Sequence, residues 1–285
     1  MPRGVPKAGF RKTSKVKIRD ISEVNIQKIV ESDAEISERI LERFDILDEM
    51  THAAIKGDIR ALIVSGPAGL GKSFTVEEAL KGWDASEENH TIVKGHLKAP
   101  SLYRLLFQHK DQGKVLVFDD ADAIFFDDIS LNLLKAACDS NKVRRISYMT
   151  EGTLIDETDM TVMPKSFEFE GTIIFITNLD FDAMIGKGHK LAPHMNAMIS
   201  RSHYIDLTMK TKRDYMIRIK QVLDKGMLDR EGITKAAQVD VVSFIETHQN
   251  TMRELSLRMV LKVAGIRNMN SPKWMSMAKV TCTYL

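Results

Sequence analysis

Residues 66–73 read GPAGLGKS, a complete G-x-x-x-x-G-K-[ST] run, and these residue types at this spacing can grip a polyphosphate. The stretch before it, IRALIVS, has the apolar pattern of a buried strand, and KSFTVEEALKGW after it reads as a helix. A strand that halts at a glycine-rich turn and restarts as a helix leaves free backbone N–H groups around one point. The helix dipole behind them adds partial positive charge, so the turn becomes a nest for an anion. Lys72 brings a mobile cation for the β- and γ-phosphates, and Ser73 puts a hydroxyl where a Mg²⁺ ligand is wanted. Gly66, Pro67, Ala68, Gly69, Leu70, Gly71, Lys72, Ser73 and Phe74 therefore form the expected nucleotide-binding segment, with ATP and Mg²⁺ as its cofactors.

Hydrolysis needs a metal-holding acid and a group that activates water. Residues 114–122, KVLVFDDAD, supply an apolar strand that ends in two carboxylates. At the carboxyl end of a strand beside the phosphate loop, the first acid can reach the metal and the second can orient the attacking water. Asp119 is assigned to the metal and Asp120 to the water. The next apolar run, TIIFITNLD, ends at Asn178, whose neutral amide can hydrogen-bond both a γ-phosphate and the attacking water. An Asn after a strand is commonly only a turn residue; its interest here is its place between the other two motif strands. Arg201, in MISRSHYIDL, stands between a short helix and another strand.

Strands are expected at Ile59–Ser65, Thr91–Lys94, Val115–Asp119, Thr172–Thr177 and His203–Leu207, with helices between them at 72–82, 101–110, 128–140 and 193–200. A helical stripe, Ile36, Ile40, Phe44, Leu47 and Ala54, precedes them and stops at Gly57. Such alternation implies a parallel sheet covered on both faces. Residues 141–171 interrupt it; with strand-like ends at Val143–Met149 and Phe167–Phe169 they read as a β-hairpin insertion. After Leu207 the pattern is helical only. Thr251-Met252-Arg253-Glu254 has the form of a capping box, which predicts a lid helix starting at Thr251, and a last helix is expected over 272–281. The expected division is a basic extension over 1–34, an α/β nucleotide-binding domain over 35–207 and a helical lid over 208–285.

The bulk properties exclude other classes. At 285 residues and 44% hydrophobic, the chain can bury a substantial core. Its net charge of +2 creates no global field for nucleic acid, but residues 1–19 carry seven Lys or Arg and no acid. That arm is either a solvated tail or a contact for phosphate backbone or another acidic surface. Two distant cysteines, Cys138 and Cys282, offer no disulfide frame or zinc site. The eight histidines form no H-E-x-x-H, and the sixteen methionines read as core and interface filler. No apolar run approaches a membrane span and the N-terminus lacks a signal-peptide core, so a cytoplasmic protein without membrane contact is expected.

Together these motifs resemble the AAA+ ATPase family over about residues 36–266. GPAGLGKS resembles its Walker A motif, VLVFDD its Walker B and ITN its sensor 1. The resemblance implies a P-loop fold with a five-stranded parallel sheet in the order 5-1-4-3-2 and a C-terminal all-α lid. It implies an ATP hydrolase with Lys72, Asp119, Asp120, Asn178 and Arg201 in catalysis, Arg201 acting as an arginine finger on a neighbouring subunit's nucleotide. A sensor 2 arginine is also implied in the lid, Arg253 by its position and Arg258 as the alternate. The family's second Walker B acid is usually Glu; Asp120 is one methylene shorter, which puts fast hydrolysis in question.

A homo-oligomer is implied, a hexamer by family analogy, acting on a nucleic-acid or a protein substrate. Channel-facing candidates are 95–101 (GHLKAPS) and the 141–171 insertion. GHLKAPS lacks an aromatic–Gly signature of polypeptide unfolding. Arg144 and Arg145 offer cations to a phosphate backbone, opposed by Asp156, Glu157 and Asp159; structural packing of the hairpin is the simpler account. The competing reading is a slow-hydrolysing, nucleotide-gated switch or loader.

Overall fold

A computed structural model of the chain describes residues 31–156 and 160–284. The basic N-terminal arm, Glu157 and Asp159 lie outside the described residues. The first helix, α1 (Asp33–Lys56), starts where a capping box is met: the Ser32 hydroxyl accepts from the Glu35 amide, and the Glu35 carboxylate takes the Ser32 N–H at 2.7 Å. It stops at Gly57, whose φ of +80° makes the left-handed turn that ends many helices.

Alternation follows: β1 (Ala61–Ser65), α2 (Lys72–Trp83), β2 (His90–Lys94), α3 (Ala99–Gln108), β3 (Val115–Asp119) and α4 (Asp128–Ala137). After an inserted hairpin, β4 (Arg145–Ser147) and β5 (Ser166–Glu168), come β6 (Thr172–Thr177), α5 (Phe181–Gly186), α6 (Ala192–Ile199) and β7 (His203–Asp206). The main sheet is five-stranded and parallel, ordered β2-β3-β6-β1-β7. Counting only its own strands in chain order, this is 5-1-4-3-2, as the family resemblance implies. The strands at Val115–Asp119 and Thr172–Thr177 lie where the sequence predicts them, and the other ends of these sheet strands and of the helices between them differ by at most three residues.

Three of the strands, β1, β3 and β6, are buried throughout because both sheet faces are covered. Leu62 and Val64 face α1 and α2, packing with Ile36, Ile40, Phe44 and Leu80. Ile63, Leu116, Phe118 and Phe175 face α3 and α4, packing with Leu102, Leu106 and Leu131. The hairpin joins that second layer through Phe167, whose ring lies 5.1 Å from that of Tyr103. Within the hairpin, Arg144 and Arg145 divide. Arg144 is buried, donates to the Ala137 carbonyl at 2.9 Å and lies over the Phe169 ring. Arg145 is exposed and pairs with Glu168 at 2.7 Å. Successive strand residues point to opposite sides, so the two cannot form one outward cationic pair.

Five helices complete the chain: α7 (Lys212–Asp224), α8 (Met227–Arg230), α9 (Lys235–His248), α10 (Leu257–Asn268) and α11 (Trp274–Cys282). They share a separate core built on Ile219, Val241, Phe244, Val260 and Val263. The helix expected from Thr251 begins six residues later. Thr251 accepts from the Tyr284 amide at 2.8 Å and the Arg253 N–H donates to the Cys282 carbonyl at 3.0 Å, so this backbone is committed to the chain's last residues. The cap of α10 is Ser256, whose hydroxyl accepts from Met259. Among the described residues, no helix is long and apolar enough to cross a membrane.

Candidate nucleotide-binding site

The loop from Gly66 to Gly71 leaves the carboxyl end of β1 and enters α2 without a side-chain cap. Gly71 is the N-cap, at φ +96°, and no acid lies in the first helical turn. Among the described residues, nothing accepts a hydrogen bond from the amides of Lys72, Ser73 and Phe74. A helix start with bare donors and no carboxylate suits an anionic ligand. Gly69, at φ +71°, meets the lid: a Cβ there would stand 2.7 Å from that of Ser256. The Leu257 amide donates to the Gly69 carbonyl at 2.8 Å, so α10 begins directly on the phosphate loop.

Lys72 is almost wholly buried, its ammonium donating to the carbonyls of Gly66 (2.6 Å) and Pro67 (2.9 Å) and to Asn178 Oδ1 (2.9 Å). Burial pulls its pKa from 10.5 down to about 8; Asp120 and Asp119 oppose this shift and Arg258 adds to it. Asn178 uses its other end as well, donating from Nδ2 to Asp120 Oδ1 at 2.7 Å. One amide thus links Lys72 and Asp120. Asp120 takes a φ of +52°, a left-handed conformation that Asp and Asn tolerate better than most residues. That turn aims its carboxylate outward, while Asp119 stays at the strand end and accepts from Ser73 Oγ at 2.8 Å.

A hydroxyl and a carboxylate this close form an oxygen donor set that fits a hard divalent cation, so Ser73 and Asp119 would hold Mg²⁺. A divalent cation held there would supply neutralisation of phosphate charge.

Four residues of this region escaped the sequence reading. Thr177 donates to Asp122 and accepts from the Leu179 amide, tying the end of β6 to the turn after β3. Burial raises the Asp122 pKa, against the Thr177 hydrogen bond. Lys94, at the end of β2, sits in register with Asp119 and 3.1 Å from its Oδ2. Arg218 of α7 is 5% exposed; its Nε donates to the Leu70 carbonyl at 3.2 Å and its guanidinium lies 3.3 Å over the Phe44 ring. Burial lowers its pKa to about 10, and its Nη1 has no partner among the described residues. VLVFDDAD displayed Asp122 openly; a charged residue mid-helix on the buried stripe of α7 was the available sign of Arg218.

The remaining candidates separate. Phe74 is half-exposed, with the Arg230 guanidinium 5.3 Å from its ring. Arg258, in the first turn of α10, lies 3.9 Å from Asp120 Oδ2. Arg253 instead places its guanidinium 5.2 Å from the Tyr284 ring, on the extended segment before the helix. Arg201 lies just before the amino end of β7, which runs parallel to β1. It is therefore at the opposite end of the sheet from the phosphate loop, donating to the Ala197 carbonyl at 2.9 Å.

No protein-family model matches the chain. Among solved structures, it resembles the RuvB Holliday junction branch migration motor of Thermotoga maritima (TM-score 0.46, 15% identity, covering 85% of this chain and 67% of that one). It also resembles NtrX from Brucella abortus in complex with ATP (TM-score 0.46, 12% identity, covering 82% of this chain and 51% of that one). The parallel strand order, the glycine-rich loop after β1 and the C-terminal helices agree with the fold that the sequence motifs imply. A curated relative is 34% identical over 257 residues, 90% of this chain and 78% of its own length: the "uncharacterized 36.7 kDa protein in nrdC-mobD intergenic region" of Enterobacteria phage T4. By that identity and coverage, the chain belongs to the same family as the phage T4 protein.

Proposed function

We propose that the chain is an AAA+ ATPase that binds ATP with Mg²⁺ and hydrolyses it at subunit interfaces of a ring-like homo-oligomer, six subunits by family analogy. The observation that carries this reading is the convergence of Lys72, Ser73, Asp119, Asp120 and Asn178 at one end of the sheet, where separate strands and a helix deliver them. In this reading residues 35–207 form the nucleotide-binding domain, with 208–285 as lid. The bare amides of α2 and the Lys72 ammonium bind the phosphates. Asp120 orients the attacking water and accepts its proton, and Asn178 holds that carboxylate against Lys72 so that each registers the other's occupancy. Arg258 approaches from the lid. Arg201 is supplied to the next subunit, since its own site lies beyond reach.

The substrate moved is a nucleic acid or a protein assembly. A slow switch or loader is the second reading, and Asp120 favours it: the carboxylate is one methylene short and already engaged by Asn178. ATP turnover measured with and without DNA, together with electron microscopy of the ATP-analogue state, tests both. Strong stimulation by DNA in a ring supports a motor. ATP-dependent assembly with negligible turnover supports the switch, and no ATP binding at all overturns both.

A further inference from the structure

Asp119 has both oxygens engaged: Oδ1 accepts from Ser73 at 2.8 Å, and Oδ2 faces the Lys94 ammonium at 3.1 Å. Lys94 also donates to Glu77 Oε1 at 2.8 Å. Glu77 stands one helical turn after Ser73 on α2, so the two share a face. Two carboxylates thus flank one side-chain cation, and the Ser73 hydroxyl holds the far oxygen of one of them. The two acids differ: the Asp119 side chain is 6% exposed and that of Glu77 26%. Lys94 itself is more than half exposed on a long stem, free to shift between them.

Resting on the nucleotide-site reading above, we propose that Lys94 is a resident counter-cation beside Asp119 that competes with the divalent metal, and that Glu77 receives its ammonium when metal and nucleotide arrive. Two carboxylates and one ammonium leave a net negative seat for a hard cation, yet a lysine held against Asp119 repels that cation. Glu77 sets the balance. A carboxylate beside the seat draws the ammonium away; without it, Lys94 has only Asp119 to pair with. Lys94 is therefore a positioning residue that tunes the metal requirement without touching the phosphates.

The test is a titration of the full chain with Mn²⁺, free metal followed by electron paramagnetic resonance, at saturating fluorescent ADP whose binding is read separately. Lys94→Met is expected to tighten Mn²⁺ about three- to fivefold, the upper scale of one partly exposed ion pair. Glu77→Gln is expected to weaken it by a similar factor, and to lose most of that effect when combined with Lys94→Met. Lys94→Arg should restore native affinity to within about twofold, and matching melting curves would show that every variant is folded. If ADP binds normally but Lys94→Met leaves Mn²⁺ affinity unchanged or weaker, this inference fails and the nucleotide site stands. If the unaltered chain binds no ADP, the nucleotide-site reading itself is lost.

Discussion

The two ends of the main sheet handle positive charge differently. At the carboxyl end, Lys72 is enclosed by carbonyls and the Asn178 amide, Lys94 by carboxylates, and Arg258 approaches Asp120. Each of these three cations has an oxygen partner. At the amino end, Arg144 and Arg201 cluster around the buried Cys138, whose thiol burial pushes up to about 12, and each arginine donates to a helix carbonyl. The Arg201 Nε is buried and has no partner among the described residues. Among the described residues, no carboxylate pairs with it. A buried donor left without an acceptor costs roughly 1–3 kcal/mol. At the carboxyl end these three cations find their partners within the chain, whereas the amino end holds a cation that an anion from outside would complete.

That contrast breaks most decisively at Arg201. If its anion is a neighbouring subunit's nucleotide, Arg201→Ala lowers turnover by about 10³–10⁵ while leaving ATP affinity nearly intact. Mixing provides the sharper arm. Arg201→Ala chains and Lys72→Ala chains, each inactive alone, should recover measurable turnover together, because some interfaces then pair an intact loop with an intact arginine. Recovery absent across all mixing ratios, or full activity of Arg201→Ala alone, would return this residue to a packing role at Cys138.

At the carboxyl end, the next largest effect is expected from Asp120→Asn, a loss of turnover of about 10²–10³ with unchanged ATP affinity. Asn also accepts the left-handed backbone at this position, so the change removes charge without adding strain. Unchanged turnover would remove Asp120 from the mechanism.

Lys72 gives a pH signature. Its pKa is about 8 in the folded, nucleotide-free chain against 10.5 unexposed to the fold, so between these values the unfolded state binds more protons. Stability from this group therefore rises with pH across that window, because the cost of burying the charge is present below about 8 and relieved above it. A bound polyphosphate favours the charged amine. Affinity should then fall by up to about tenfold per pH unit above 8, with proton uptake visible calorimetrically in buffers of different ionisation enthalpy. Lys72→Arg, charged throughout, should abolish that slope.

What was legible in the chain follows from how local each signal is. The strands are short apolar runs that stop at Gly66, Asp119 or Asn178, and the order of the sheet follows once those ends are recognised as one family's motifs. The fate of Arg144 and Arg145 was also accessible, since a two-residue period sends neighbours to opposite faces. The start of α10 was not. Thr251 and Glu254 satisfy the local form of a cap, but their backbone pairs with residues some thirty positions later, a long-range bond that no local pattern reveals. Lys94 was hidden for the same reason: only the β2–β3 register brings it to Asp119. Arg218 joins α7, α1 and the phosphate loop, and three-way meetings lie beyond periodicity.

The smallest expected effect separates two arginines of the lid. Arg253 stacks on Tyr284 and its backbone is fixed by Cys282, so its guanidinium belongs to the lid's own packing. Arg258 rides the first turn of α10, the helix whose Leu257 amide already holds the Gly69 carbonyl. Any shift of the phosphate loop therefore moves Arg258 directly, and Asp120 at 3.9 Å is near enough to feel it. A cation at a helix start also opposes the helix dipole by about 0.3–1 kcal/mol, a cost that an anion beside it offsets. Arg258→Ala should thus raise the ATP KM about three- to tenfold and leave the melting temperature unchanged or slightly higher. Arg253→Ala should leave KM within twofold and lower the melting temperature by a few degrees, as the loss of an exposed cation–aromatic contact does. The reverse pattern would mean that the lid swings in solution so that Arg253, not Arg258, faces the nucleotide.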